Sequence, residues 1–198
     1  MLHLMRMKAL AREDSVSSAL YAVAGALLII GLLAGLAWLP RLLGARAEQA
    51  GGDAPHVSVP LVANAEQLAE PPALAPAAVS VAELKGHAVL LDFWATWCGP
   101  CQAQAPIVDR VAVRYKSRGL VVIGINTSDP DGLSLAGPWA KSHHITYPIA
   151  FDDGAAAHAY DVENLPTLVV ISKTGKIVGR RMGMTDGDEI ERLVNQAL

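Results

Sequence analysis

Cysteine is nearly absent from this chain: Cys98 and Cys101 are the only two, and they sit three positions apart. A small fold stapled by disulfides needs more pairs at wider spacing, so that class is excluded. A structural zinc centre needs four ligands, and no second Cys-x-x-Cys exists to complete one. The histidines are scattered, with His143 and His144 adjacent and His158 apart, and show no ligand spacing. No metal and no cofactor is expected. Two thiolates also suit copper(I), so a copper-handling thiol module stays open as an alternative. A purely structural disulfide gains little from closing so short a loop. A basic excess is lacking too: 16 Lys and Arg stand against 19 Asp and Glu, for a net charge of −3. Nothing in that balance argues for nucleic acid.

Charge itself is missing from Ser15 to Pro40, SVSSALYAVAGALLIIGLLAGLAWLP. About 20 apolar residues cross a bilayer as a helix, and a signal peptide has a shorter apolar core of about 7–15. The stretch therefore reads as a retained anchor, although Ala45-Arg46-Ala47 resembles a cleavage site. Arg6, Lys8 and Arg12 precede it and Arg41 and Arg46 follow, a weak positive-inside bias that puts the N-terminus in the cytoplasm.

What is present divides the 198 residues into one domain and a tail. Residues 1–14 read as a cytoplasmic segment, 15–40 as the transmembrane anchor and 41–75 as a tether. The tether is rich in Ala, Pro and Gly and too poor in apolar surface to fold alone, with a short helix expected over Leu61–Glu70. Residues 76–198 read as the globular domain. Ala88–Trp94 (AVLLDFW) and Leu120–Ile125 have the continuous apolar character of buried strands. Gly99–Tyr115 has helical spacing interrupted by Pro106. Helices are expected at Leu133–Ser142 and Gly154–Tyr160, with a short strand at Tyr147–Phe151 between them. Thr167–Ser172 and Ile177–Met182 read as a hairpin, and Asp186 as the N-cap of a closing helix. Strands alternating with helices predict an α/β fold, layered around one mixed sheet.

Cys98-Gly99-Pro100-Cys101 follows a strand and opens a helix, the context that makes such a motif specific for redox chemistry. A helix N-terminus favours an anion, so it favours the Cys98 thiolate, the species that attacks disulfides. Cys98 is expected to be exposed and Cys101 shielded one turn further on. Trp97, Gly99 and Pro100 are candidates for the partner-docking surface. Trp94 reads as packing, and His158 and Glu163 as solvated surface residues.

FWATWCGPC, the later Pro106 and Leu165-Pro166-Thr167 together resemble the thioredoxin superfamily. The anchor, the tether and the insertion Thr127–Asp153 resemble its membrane-tethered TlpA/ResA-type branch of thiol-disulfide oxidoreductases. The resemblance covers Val79–Leu198 and implies a thioredoxin-like three-layer sandwich. It further implies that Pro166 is cis and faces the cysteines, and that Leu165 pairs with substrate backbone. Asp92, six residues before Cys98, matches the buried acid that handles the proton of the second cysteine in thioredoxins. Val162-Glu163-Asn164-Leu165-Pro166-Thr167 departs from the stretch of the cytochrome c maturation branch, and no peroxiredoxin-like cysteine setting is present.

The catalytic set expected is thus Cys98, Cys101, Asp92 and Pro166, with Trp97, Gly99, Pro100 and Leu165 toward substrate. The partners expected are extracytoplasmic proteins with disulfides and a membrane electron-donor protein. The expected location is the inner (cytoplasmic) membrane, single-pass, with the domain facing the periplasm. Gly99-Pro100 matches thioredoxin, which predicts a reductant or isomerase, with a disulfide-forming oxidase as the alternative direction.

Overall fold

The computed structural model describes residues 23–32, 34, 51–68 and 75–198. The described residues fall into two units, one within 1–48 and one within 49–198. In the first, residues 23–32 are helical (α1), and Leu27, Leu28 and Leu32 are exposed. No helix among the described residues is long and apolar enough to cross a membrane. Most of the expected span, residues 15–40, lies outside those residues.

The second unit is built on a seven-stranded mixed sheet of order β2-β1-β5-β4-β3-β6-β7. Its strands are β1 (Ser58–Ala63), β2 (Ala78–Ser80), β3 (Ala88–Trp94), β4 (Leu120–Asn126), β5 (Ile149–Phe151), β6 (Thr167–Ile171) and β7 (Ile177–Met182). Its helices are α2 (Gly99–Tyr115), α3 (Gly132–Ser142), α4 (Ala155–Ala159) and α5 (Gly187–Ala197). β3 is buried along its whole length because both of its faces are covered, which is why it reads as a continuous apolar run. Successive strand residues face opposite sides. Leu90 and Trp94 join α2, α3 and α5 in one core cluster, while Val89, Leu91 and Phe93 join the α4 side. Each such fully buried aliphatic side chain contributes about 1.5–3 kcal/mol relative to exposure. The expected α/β sandwich is present.

α2 runs through Pro106 as a single helix. β6 and β7 pair antiparallel across a turn in which Gly175 has φ 82, a backbone state that glycine adopts without a Cβ clash. Asp186 caps α5, its carboxylate accepting from the Glu189 N–H at 2.8 Å.

The tether expected over 41–75 needs correction. Residues 58–63 form β1, inside the sheet: Ser58–Pro60 pairs with β2, and Leu61–Ala63 with β5. Of the helix expected over Leu61–Glu70, the described residues 61–68 are instead the end of that strand followed by one 3-10 turn, Ala65–Leu68, and residues 69–70 lie outside the described residues. Val59 is buried and Leu61 packs on the α4-side cluster. Tertiary pairing thus recruits a segment whose Ala and Pro content conceals its short Val-Pro-Leu-Val run. Pro60 is tolerated because only its β2 side is paired there.

Candidate active site

β3 carries the chain to the site, lying parallel to β4 and antiparallel to β6. Beyond Trp94 a short loop leads to Cys98, the N-cap of α2, and Pro100 occupies the first turn, where its missing N–H has no helical partner to lose. Cys98 and Cys101 are joined as a disulfide, with Cα atoms 5.3 Å apart. The Cys101 N–H donates to Cys98 Sγ at 3.3 Å. The sulfur therefore stands where a capping oxygen would, and that donor, with the helix dipole, favours a thiolate on Cys98 once the bond is reduced.

Exposure does not separate the two sulfurs as expected. Cys98 is 4% exposed and Cys101 3%, because the first turn of α2 docks into the cluster of Leu90, Trp94 and Leu168. The asymmetry between them lies in hydrogen bonding instead. Gly99 and Pro100 remain exposed, and Trp97 is 63% exposed.

The loop before Cys98 is clamped from the β4–α3 connection. One carboxylate oxygen of Asp129 accepts from the Thr96 N–H at 2.9 Å, the Thr96 hydroxyl at 2.6 Å and the Asn126 amide at 3.2 Å. Burial pushes Asp129 up, but the bonds from Thr96 and Asn126 outweigh it and hold its carboxyl below the usual range. The Trp97 indole N–H donates to the Ser128 carbonyl at 3.0 Å. Trp97 is thereby an apolar surface held in one orientation beside the disulfide.

Asp92 is buried, at 3% exposure. Strand alternation puts it on the face of Leu90 and Trp94, the face that carries both cysteines. Gln104, one turn beyond Cys101 in α2, donates to Asp92 Oδ1 at 3.5 Å, and the Tyr147 hydroxyl donates to Oδ2 at 3.2 Å. Burial raises its pKa to about 6, against the lowering effect of Tyr147 and Gln104. An acid of that strength accepts a proton near neutral pH and returns it. The far end of Gln104 accepts from the Thr185 N–H at 2.8 Å, so one amide ties β3 to the loop before α5.

The Leu165–Pro166 bond is cis. Phe93 pairs with Thr167, so Pro166 enters β6 beside the end of β3 from which the Cys98 loop departs. Leu165 is half-buried and packs on both core clusters. The Pro166 carbonyl accepts from the Gly183 N–H at 2.8 Å, with Met182 and Met184 exposed on either side of that glycine. His158 and Glu163 are exposed. A cavity of about 590 Å³ lies at the opposite end of α2, around Val113, Lys116 and Val121, and no predicted site residue lines it.

Sequence reasoning missed Gln104, Tyr147, Asp129 and Thr185. Helical spacing from Cys101 flags Gln104, since i and i+3 share a helix face. No local signal points to Tyr147, which lies 55 positions from Asp92.

This chain is similar to known proteins in sequence and in fold. A Redoxin family profile matches residues 49–196. The thiol-disulfide oxidoreductase ResA of Bacillus cereus (strain ZK / E33L) is 32% identical over 115 residues, 57% of this chain and 65% of that protein. ResA of Bacillus subtilis (strain 168) is 33% identical over 101 residues, 50% of this chain and 55% of that protein. The chain thus spans less than two thirds of the length of these relatives. Among solved structures, a thiol:disulfide interchange protein of the thioredoxin family from Chlorobium tepidum TLS aligns with a TM-score of 0.57 at 27% identity. That alignment covers 73% of this chain and 94% of that one. With a thioredoxin-like fold and a Cys-x-x-Cys pair capping α2, the chain belongs to the Redoxin family.

Proposed function

We propose that this protein is a thiol-disulfide oxidoreductase that reduces or isomerises disulfides of extracytoplasmic proteins through Cys98 and Cys101. One observation carries the reading: the disulfide forms the N-cap of α2 on the same sheet face as a buried acid. In the reducing direction the Cys98 thiolate attacks one sulfur of a substrate disulfide, and the other leaves as a thiolate. Cys101 then gives its proton to Asp92, and the Cys101 thiolate attacks Cys98 Sγ in the mixed disulfide. The Cys98–Cys101 bond forms, the second substrate sulfur leaves, and two electrons have passed to the substrate. Trp97, Gly99, Pro100 and Leu165 form the docking surface for the partner. A membrane electron-donor protein restores the dithiol.

The setting of the site favours a reductant. No basic residue stands between the two cysteines to stabilise the Cys98 thiolate further. An ionised Asp92 opposes that thiolate, which makes the disulfide less oxidising. Equilibration of the full chain with glutathione buffers tests function and direction together. The expected potential lies nearer the value of about −270 mV for thioredoxin than that of about −120 mV for DsbA. A midpoint above about −150 mV reverses the direction to an oxidase. Stoichiometric copper(I) binding with no thiol exchange replaces the enzyme with the copper-handling alternative.

The uncharged stretch Ser15–Pro40 supports a single-pass anchor in the inner membrane, in the manner of a TlpA/ResA-type protein, with the redox domain on the periplasmic side. A reporter that works only outside the cytoplasm, fused after Leu198, is expected to be active. Activity of a cytoplasmic reporter alone rules this location out.

A further inference from the structure

Asp92 pairs in register with Gly124 of β4, and in-register residues of parallel strands project to the same face. Gly124 therefore leaves a gap beside the buried carboxylate. A Cβ built there meets the Tyr147 ring at 2.8 Å, the Ile149 side chain at 2.8 Å and the Trp94 indole nitrogen at 3.2 Å. The gap is thus filled by the side chains of Tyr147, Ile149 and Trp94. Tyr147 precedes β5, in the segment that follows α3, and reaches Asp92 across β4. Its backbone is anchored from two sides. The Asn64 amide donates to the Tyr147 carbonyl at 3.0 Å, and Asp109 of α2 accepts from the Thr146 N–H at 2.7 Å.

We infer that Tyr147 is a positioning residue of the redox site: its hydroxyl, admitted by the missing side chain of Gly124, holds the Asp92 carboxylate and governs how readily that carboxylate takes the proton of Cys101. This rests on Asp92 being the proton acceptor proposed above. A donor to the ionised form favours that form. Burial, followed by the charge of Asp92, raises the Tyr147 phenol well above its usual range, so the hydroxyl stays a donor throughout the working pH range. The other groups facing the carboxylate are few. From α2 it is the amide of Gln104, with the cysteine pair on the same sheet face and Asp109 acting on Tyr147 from further along the helix. β4 offers Gly124 and β6 offers Leu168 at this register. The buried residues of α3 and α5 are Gly132, Ala136 and Ala140, and Ile190, Leu193, Val194 and Ala197. None of these residues from β4, β6, α3 and α5 titrates.

The test is the pH dependence of single-turnover disulfide reduction by the full chain. Wild type is compared with Tyr147→Phe, Gly124→Ala and Asp92→Asn. Tyr147→Phe keeps the ring and its packing and removes only the hydroxyl. Its rate step is expected to move up by roughly one pH unit, the worth of one hydrogen bond to a charged group, with the same plateau at high pH. Gly124→Ala keeps the hydroxyl but drives the ring from its gap, and is expected to shift the step the same way. A purely structural role lowers the plateau without moving the step. A step lost in Asp92→Asn but unmoved in both other variants overturns the role of Tyr147 and leaves Asp92 in place. A step that persists unchanged in Asp92→Asn removes the proton acceptor itself, and the inference falls with it.

Discussion

Replacing Cys98 with serine is expected to lower the rate of protein disulfide reduction at least about 10³-fold, the scale on which loss of a catalytic nucleophile acts. Replacing Cys101 with serine should have a different signature. The Cys98 thiolate survives in that variant, still capping α2 and still favoured by the N–H of residue 101. It attacks a substrate disulfide once and stops, because no second sulfur is left to resolve the mixed disulfide. Full-length Cys101→Ser should therefore accumulate partners bound to Cys98 and released by added thiol, whereas Cys98→Ser accumulates far fewer. Since exposure is nearly equal at the two positions, this contrast tests the hydrogen bond from the Cys101 N–H to Cys98 Sγ and the helix dipole as its cause. Equal trapping by the two single variants would overturn the assignment of roles.

The second large effect is on stability, measured on the oxidised protein so that neither cysteine titrates. Burial raises Asp92 from 3.8 to about 6. A carboxyl whose folded pKa lies above its unfolded value binds its proton more tightly when folded. Stability is then greatest below the unfolded pKa, falls as pH rises from about 4 to about 6, and is constant beyond. The shift corresponds to roughly 3 kcal/mol lost by pH 7. Asp92→Asn keeps the shape and one acceptor oxygen, turns the other contact into an N–H that the hydroxyl oxygen of Tyr147 can accept, and carries no charge. It is therefore expected to be more stable than wild type at neutral pH by up to that amount, with the difference vanishing below about pH 4. Its resolution of mixed disulfides should slow by about 10²-fold, the lower range for a general base. Denaturant titrations across this pH range give the first quantity and stopped-flow kinetics the second. A variant less stable at neutral pH and equally fast would show that Asp92 is not the buried proton acceptor.

Much of this molecule is legible one segment at a time. The AVLLDFW run is a strand covered on both faces, and its composition says so without any partner being known. Cys98-Gly99-Pro100-Cys101 announces its helix through the proline in the first turn, and its chemistry through the spacing of two thiols. Asp186 caps its helix with an atom three residues from the N–H it satisfies. The hairpin of β6 and β7 is closed by the short turn between them. In each case interacting groups lie within a few residues of one another, so local spacing carries the information.

The tertiary structure alone decided the rest. β1 is a strand because β2 and β5 pair with it, and its own composition reads as a tether. Cys98 is buried because the first turn of α2 joins a core cluster that also holds Leu168, 70 positions away, and helical periodicity says nothing of that distance. Tyr147, Gly124 and Gln104 meet Asp92 through strand register and a right-placed gap. The physical reason is common to all three cases. Burial, hydrogen-bond partners and the strength of a buried acid depend on which segments the sheet brings side by side, and sheet order is a property of the whole chain.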